Sequence, residues 1–328
     1  MTNVREYLNE LKPLLAQDKI DGSRGILFGT ASEAGEGIKM NTNDQFLLIG
    51  LGGTGIKTID YVKGVLSRRM ESGWQKTVRF IGIDADWREV EQAAYLTRQE
   101  CQIITDKQIT EKIQKDPAKW PDTWRRITDE KTIQSLNNKQ PHLPGSGRLR
   151  VLGKMKFHDR EDTASAGYDE LIEKRIANAS SAMGGCSGQL YTFVIGSLCG
   201  GTCSGCITEM PALIRNALKG KPSKIYSLLF LPDTMTDHPD IPKPEEIEAN
   251  GFAALKELDY YNGLLMRSGY DGEKWYTNNA SNSVIEIPSG TDFIDLPILV
   301  GTRNGPGPDS AEIAQETIAE FLISMVGQ

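Results

Sequence analysis

The run Cys199-Gly200-Gly201-Thr202-Cys203-Ser204-Gly205-Cys206 concentrates small, hydroxyl-bearing and thiol-bearing residues in one short stretch. Such a stretch can do two kinds of chemistry. Glycines let a phosphate approach the main chain, and unpaired N–H groups at a helix start favour an anion. Thr202 and Ser204 add hydroxyl donors to such a cradle. Alternatively, Cys199, Cys203 and Cys206 have the C-x3-C-x2-C spacing of an iron–sulfur site. The intervening Gly-Gly-Thr and Ser-Gly are explained by a phosphate loop and not by a cluster. A third account is a tight turn that only packs, its thiols buried as small apolar groups.

A second glycine run, Gly50-Leu51-Gly52-Gly53-Thr54-Gly55, has the form G-x-G-x-x-G. Alone this is a weak signal, shared by Rossmann NAD(P)-binding oxidoreductases and by adenylating enzymes. Further along, Asp84-Ala85-Asp86 offers two carboxylates at the end of an apolar run. There an acid can hold a ribose, hold magnesium beside phosphates, or cap the helix that starts at Trp87.

The elements that must position these groups can be read from hydrophobic spacing. Phe46–Ile49, Val78–Ile83, Phe193–Ile195, Lys224–Leu231 and Pro297–Gly301 read as buried strands. Helical periodicity follows several of them. Ile56, Ile59, Val62, Val65 and Leu66 form one face; Ile207, Met210, Leu213, Ile214 and Leu218 form another. Alternating strands and helices predict an α/β fold, a doubly wound and mostly parallel sheet with helices on both faces. In such folds ligands bind beyond the carboxyl ends of the strands.

Composition narrows the class. The 328 residues are 39% hydrophobic and 25% charged, as in a globular protein. A formal charge of −7 argues against a nucleic-acid partner. No apolar run reaches the roughly 18 residues of a membrane span, and residues 1–6 carry no signal-peptide core. Five cysteines, an odd number, suggest no disulfide framework. The expected location is the cytoplasm.

The cysteine–glycine run resembles the signature loop of the tubulin/FtsZ superfamily, which in tubulin reads Gly-Gly-Gly-Thr-Gly-Ser-Gly. Cys199 and Cys203 stand at its first and fifth glycines, and a β-carbon at 203 would narrow the phosphate cradle. The resemblance covers Phe46 to the C-terminus. It implies a prokaryotic tubulin-like GTP-binding domain, with Mg2+, head-to-tail self-assembly or a partner protein, and a possible GTPase activity that needs assembly. It implies site residues too. Gly50, Gly52, Gly53, Thr54 and Gly55 match the first nucleotide loop. Asp84 and Asp86 fall on the loop near phosphates and magnesium. Gly147 and Arg148, with Arg150 beyond, match the loop over the γ-phosphate. Gly200, Gly201, Thr202, Cys203, Ser204 and Gly205 form the signature loop. Glu248, with Glu245 and Glu246 as alternatives, would reach the ribose. Asn304 and Glu312, the latter with Asp309 as alternative, would read guanine.

The expected organisation is an N-terminal helix and linker over 1–44 and a GTP-binding domain over 45–328, with an insertion near 90–143. The superfamily completes its hydrolytic site with an acid from the loop beyond the central helix of the adjoining subunit. The sequence stops inside or just after the matching helix, at Gly327-Gln328. It therefore reads as a fragment or a pared-down relative, with hydrolysis completed elsewhere.

Overall fold

The computed structural model describes residues 26–28, 43–70, 73–104, 109, 145–159, 167–184, 188–235, 244–265, 273–276, 284–288, 291–302 and 309–326. A seven-stranded sheet is built from β1 (Ile26–Phe28), β2 (Gln45–Leu51), β3 (Val78–Asp84), β4 (Cys101–Ile103), β5 (Leu190–Ser197), β6 (Ser223–Phe230) and β9 (Leu296–Val300), in the order β1-β9-β6-β5-β2-β3-β4. Pairings from β4 across to β9 are parallel, and only β1 at the edge is antiparallel. A separate two-stranded ribbon joins β7 (Glu273–Tyr276) to β8 (Val284–Ile287).

The helices are α1 (Gly52–Arg69), α2 (Trp87–Glu91), α3 (Arg150–Phe157), α4 (Tyr168–Ala182), α5 (Gly201–Cys206), α6 (Met210–Ala217), α7 (Pro244–Leu265) and α8 (Ser310–Val326). They cover both faces of the sheet. Successive strand residues point to opposite faces, so β2 supplies Leu47, Ile49 and Leu51 to one core and Phe46 and Leu48 to the other. The first core is closed by α4, α5, α6 and α7 through residues such as Ile172, Cys206, Leu213 and Leu255. The second is closed by α1 and α8 through Ile56, Ile59, Ile318 and Leu322. Burial on both faces is why β2 and β5 read as continuous apolar runs rather than alternating ones.

Strand order reverses between β2 and β5. From β2 the chain runs outward through β3 to β4; from β5 it runs outward the other way through β6 to β9. That reversal opens the crevice in which open parallel sheets bind ligands. The register makes the opening level. Leu51 lies opposite both Ile83 and Gly196, so Gly52, Asp84 and Ser197 all follow the same rung.

Three local features depart from the sequence reading. Ile26–Phe28, inside the expected linker, pairs with β9; three apolar residues are too short a run to announce a strand. The single helix expected after the cysteine–glycine run is two, interrupted by a turn at 207–209. Pro211 explains the interruption, since at the second position of α6 it offers no N–H to the preceding turn. In the expected insertion, Arg98–Glu100 and β4 extend the sheet edge, and Thr97 with Glu100 forms a reciprocal cap. No described helix is long and apolar enough to cross a membrane.

Candidate functional site

A cleft of about 480 Å³ lies over the β2/β5 reversal. One wall is Gly52, Gly53 and Thr54 at the start of α1. No side chain caps this helix and no acid occupies its own first turn, so no cap takes up its first N–H groups. Gly52 has φ +71°, a left-handed conformation that glycine adopts without penalty. The facing wall is Ser197 and Cys199–Cys203 at the start of α5, also without a side-chain cap. Asp84, Asp86 and Glu89 line the floor, and the turn Gly145–Arg148 closes one side. Met235 and Ile247 supply an apolar end, packed with Cys199 and with Ala311 of α8.

The glycines divide by what surrounds them. A Cβ at Gly200 would meet nothing within 4 Å, and one at Gly52 nothing nearer than 3.7 Å. No protein packing requires glycine at 200, which borders open space in the cleft. The others are packing glycines. A Cβ at Gly55 would stand 2.2 Å from the Ile195 carbonyl oxygen, and one at Gly50 2.6 Å from Gly55. These contacts let α1 lie flush on the sheet. Gly205 is pressed on Arg150 at 2.3 Å, and Gly201 on Ser146 at 2.6 Å. Of the predicted loop residues, Gly52, Gly53, Thr54, Gly200, Gly201, Thr202 and Cys203 line the cleft, whereas Gly50, Gly55, Ser204 and Gly205 do not.

Hydroxyls and thiols correct the sequence reading. Thr202 Oγ1 donates to Asp84 Oδ1 at 2.7 Å, and Ser204 Oγ donates to the carbonyl of Gly200, the N-cap of its own helix. Both hydroxyls expected to donate to a ligand thus have protein acceptors. Cys203 does not narrow the cradle. Its side chain turns into the sheet, where a Cβ on Gly196 would sit 2.5 Å from its sulfur. Burial pushes the Cys199 thiol up to about 12 and holds Cys203 and Cys206 well above the usual thiol range, so all three are protonated thiols. Cys206 donates weakly to the Gly153 carbonyl at 3.5 Å. Among the described residues no group of three or more His, Cys, Asp or Glu is arranged to hold a metal ion by itself.

The acids are individually engaged. Burial pushes Asp84 up to about 6, against the hydrogen bonds from Thr202 and the Ala85 and Asp86 amides. Asp86 caps α2 and chelates Arg88, which holds its carboxyl below the usual range. Glu89 pairs with Lys57 at 3.2 Å and lies directly over Gly53. Arg150, offered as an anion partner, is occupied: it donates to the Ser204 carbonyl and pairs with Glu257 at 2.7 Å. Arg148 lines the cleft together with Gly147. It is the cleft-lining cation, and its guanidinium makes no ion pair among the described residues.

The model of the family described as tubulin like matches residues 47–327. The chain belongs to the tubulin-like family. Its sheet, with six parallel strands flanked by helices, is the fold of that family. Among solved structures it is similar to CetZ from Methanosaeta thermophila, at 15% identity and TM-score 0.47, over 86% of this chain and 54% of that one. The C-terminally truncated TubZ of Clostridium botulinum phage c-st aligns at 14% identity and TM-score 0.39, over 69% and 50%. CetZ2 from Haloferax volcanii, a GTPγS-bound protofilament, aligns at 14% identity and TM-score 0.40, over 86% and 58%. This tubulin-like chain therefore spans about half the length of the structures it matches. No curated protein matches it.

Two predicted base- and ribose-reading residues are not brought to the cleft. Glu248 is exposed on α7, while its neighbour Ile247 is the one turned inward. The alternatives Glu245 and Glu246 are exposed as well. Glu312 is exposed in the first turn of α8, and the buried neighbour there is Ala311. Asn304 lies outside the described residues. Sequence reasoning missed the cleft-lining Glu89, Ser146, Met235 and Ile247. Only Glu89 carried a signal, being an acid in the first turn of the helix that starts at Trp87.

Proposed function

We propose that this tubulin-like chain binds GTP with Mg2+ in the β2/β5 cleft and that the nucleotide-bound chain assembles head to tail. One observation carries the reading. The uncapped start of α1, directly after β2, and that of α5, a short loop beyond the neighbouring β5, line the same cleft, with open space at Gly200 where a phosphate tail would lie. Arg148 would balance phosphate charge, and the Met235–Ile247 end is apolar enough for a base. Asn304 is kept as the proposed guanine reader. The protein is proposed to act in the cytoplasm.

The donor set suits magnesium only in company with phosphates. Asp84, Asp86 and Glu89 put three carboxylates beside the proposed phosphate path, which would repel polyphosphate without a cation between them. Mg2+ takes one or two carboxylates, waters and phosphate oxygens rather than an all-protein cage. Asp84 and Asp86 would hold it, directly or through water, and bound there it would neutralise charge on the terminal phosphates.

Hydrolysis would require a group that orients water. The cleft carboxylates are engaged by Thr202, Arg88 and Lys57, so the proposal places that group on an adjoining subunit. Thermal shift with GTP, ATP and NAD, each with magnesium or EDTA, tests the binding reading. At a hundred times its dissociation constant, GTP should stabilise by about 2.7 kcal/mol. A shift with NAD and none with GTP would sink it.

A further inference from the structure

Arg148 is, among the described residues, the one that is not glycine yet has positive φ, at 61°. It ends a turn in which Gly145 and Gly147 are also left-handed, at 57° and 53°. For arginine this conformation costs free energy and persists only where the surroundings hold it. Two side chains do. Lys156 Nζ donates to the Gly145 carbonyl at 2.6 Å, holding the start of the turn. Asn250 Nδ2 donates to the Arg148 carbonyl at 2.7 Å, holding its end.

The same Asn250 nitrogen donates to the Cys199 carbonyl at 2.9 Å. An amide NH2 carries two hydrogens, so both bonds are made at once. Arg148 belongs to the turn on one side of the cleft and Cys199 to the glycine loop on another; one side chain spans them. Asn250 sits within α7, flanked by buried Ile247 and by Gly251, where a Cβ would come 2.4 Å from Pro232.

We infer that Asn250 is a positioning residue: its amide latches the Arg148 turn to the glycine loop and holds Arg148 at the phosphate end of the cleft. The inference rests on the nucleotide reading for its consequence, since the group Arg148 would meet is the terminal phosphate of a nucleoside triphosphate. Asn250 touches no ligand in this scheme. It works by fixing the main chain from which the guanidinium extends.

The latch makes a prediction that ordinary structural support does not. Asn250→Ala removes both donors and keeps a good helix former. Asn250→Asp keeps the volume and replaces the donor with an acceptor, which repels both carbonyls. In the full chain, each should weaken GTP about tenfold, the scale of one lost hydrogen bond, and leave GDP and guanosine nearly unchanged. Arg148→Ala should do the same, and adding Asn250→Ala to it should cost nothing more, because both act through one contact. Equal losses for GTP, GDP and guanosine, or additive losses in the double variant, would overturn the inference.

A second readout separates this idea from the nucleotide reading. Amide hydrogen exchange of the nucleotide-free protein should speed up at residues 146–149 in Asn250→Ala, with the sheet amides unchanged. If the parent protein binds no GTP but this acceleration is seen, the latch stands and the nucleotide reading falls. Unchanged exchange at 146–149 overturns the latch whatever binds.

Discussion

Thr202 Oγ1 lies 2.7 Å from Asp84 Oδ1, joining the start of α5 to the end of β3 across 118 positions of sequence. The bond supports a carboxyl that burial otherwise pushes toward its neutral form. Thr202→Val keeps the shape and removes the donor. It should destabilise the chain by about 1–3 kcal/mol when Asp84 is ionised and raise the Asp84 pKa further. Urea unfolding of both proteins should show the difference growing from pH 4 to pH 8. A constant difference would mean that the bond contributes only packing.

Gly200 and Gly201 are adjacent and should respond differently. Gly200 has ordinary extended backbone angles, φ −79° and ψ 166°, and open space for a side chain. Gly200→Val should leave stability within about 0.5 kcal/mol, as at an unobstructed surface site, while abolishing nucleotide binding. Gly201→Val drives a side chain into Ser146 and the Leu149 backbone and should lower both stability and binding. Thermal melts with nucleotide titrations distinguish the two. Equal loss of stability would show that the 200 position is packed after all.

Cys203 is a core residue, 2% exposed. Cys203→Gly, although it restores the residue usual in the resembling loop, removes a buried side chain and puts glycine in a helix. It should cost about 1–2 kcal/mol of stability and leave GTP affinity within a factor of two or so of the parent, since the sulfur faces Gly196 rather than the cleft. Denaturant unfolding and a binding titration on the same preparation check both halves.

His158 gives the fold a pH dependence. Burial opposes its charge, but its hydrogen bond to Asp169 at 3.0 Å and its proximity to Glu209 at 3.5 Å outweigh this and raise it to about 9. Glu209, also paired with Lys154, is held below the usual carboxylate range against its own burial. A histidine whose folded pKa exceeds its unfolded value of about 6.5 stabilises fully below that value. The contribution is lost as pH rises through about 9. Stability should therefore fall by up to about 3 kcal/mol between pH 6.5 and 9.5. His158→Gln should flatten that slope in urea titrations; an unchanged slope would assign it to other groups.

Phosphate release by the isolated tubulin-like chain should be slow and should rise with protein concentration if a neighbouring subunit completes the site. Fast, concentration-independent turnover would place a complete site within one subunit.

The two glycine runs, the strands before them and the helices after them were legible in the sequence because they are local. Apolar runs bounded by glycine, and a 3.6-residue periodicity, are written in consecutive residues. That legibility is enough to specify a doubly wound sheet and the end of it that carries the cleft. Which glycine borders open space and which serves packing was not legible, because the answer depends on what lies opposite in space. Gly55 and Gly200 look alike in sequence; only the approach of Ile195 to one and open space beside the other separate them. Charges follow the same rule. Arg148 and Arg150 are two positions apart, yet Glu257 and Ser204 capture one and leave the other to the cleft. Asn250 carries no signal at all in its own segment. Its role exists only where α7 crosses the ends of two distant loops, and that crossing is a property of the packed sheet and helices, not of any run of residues along the chain.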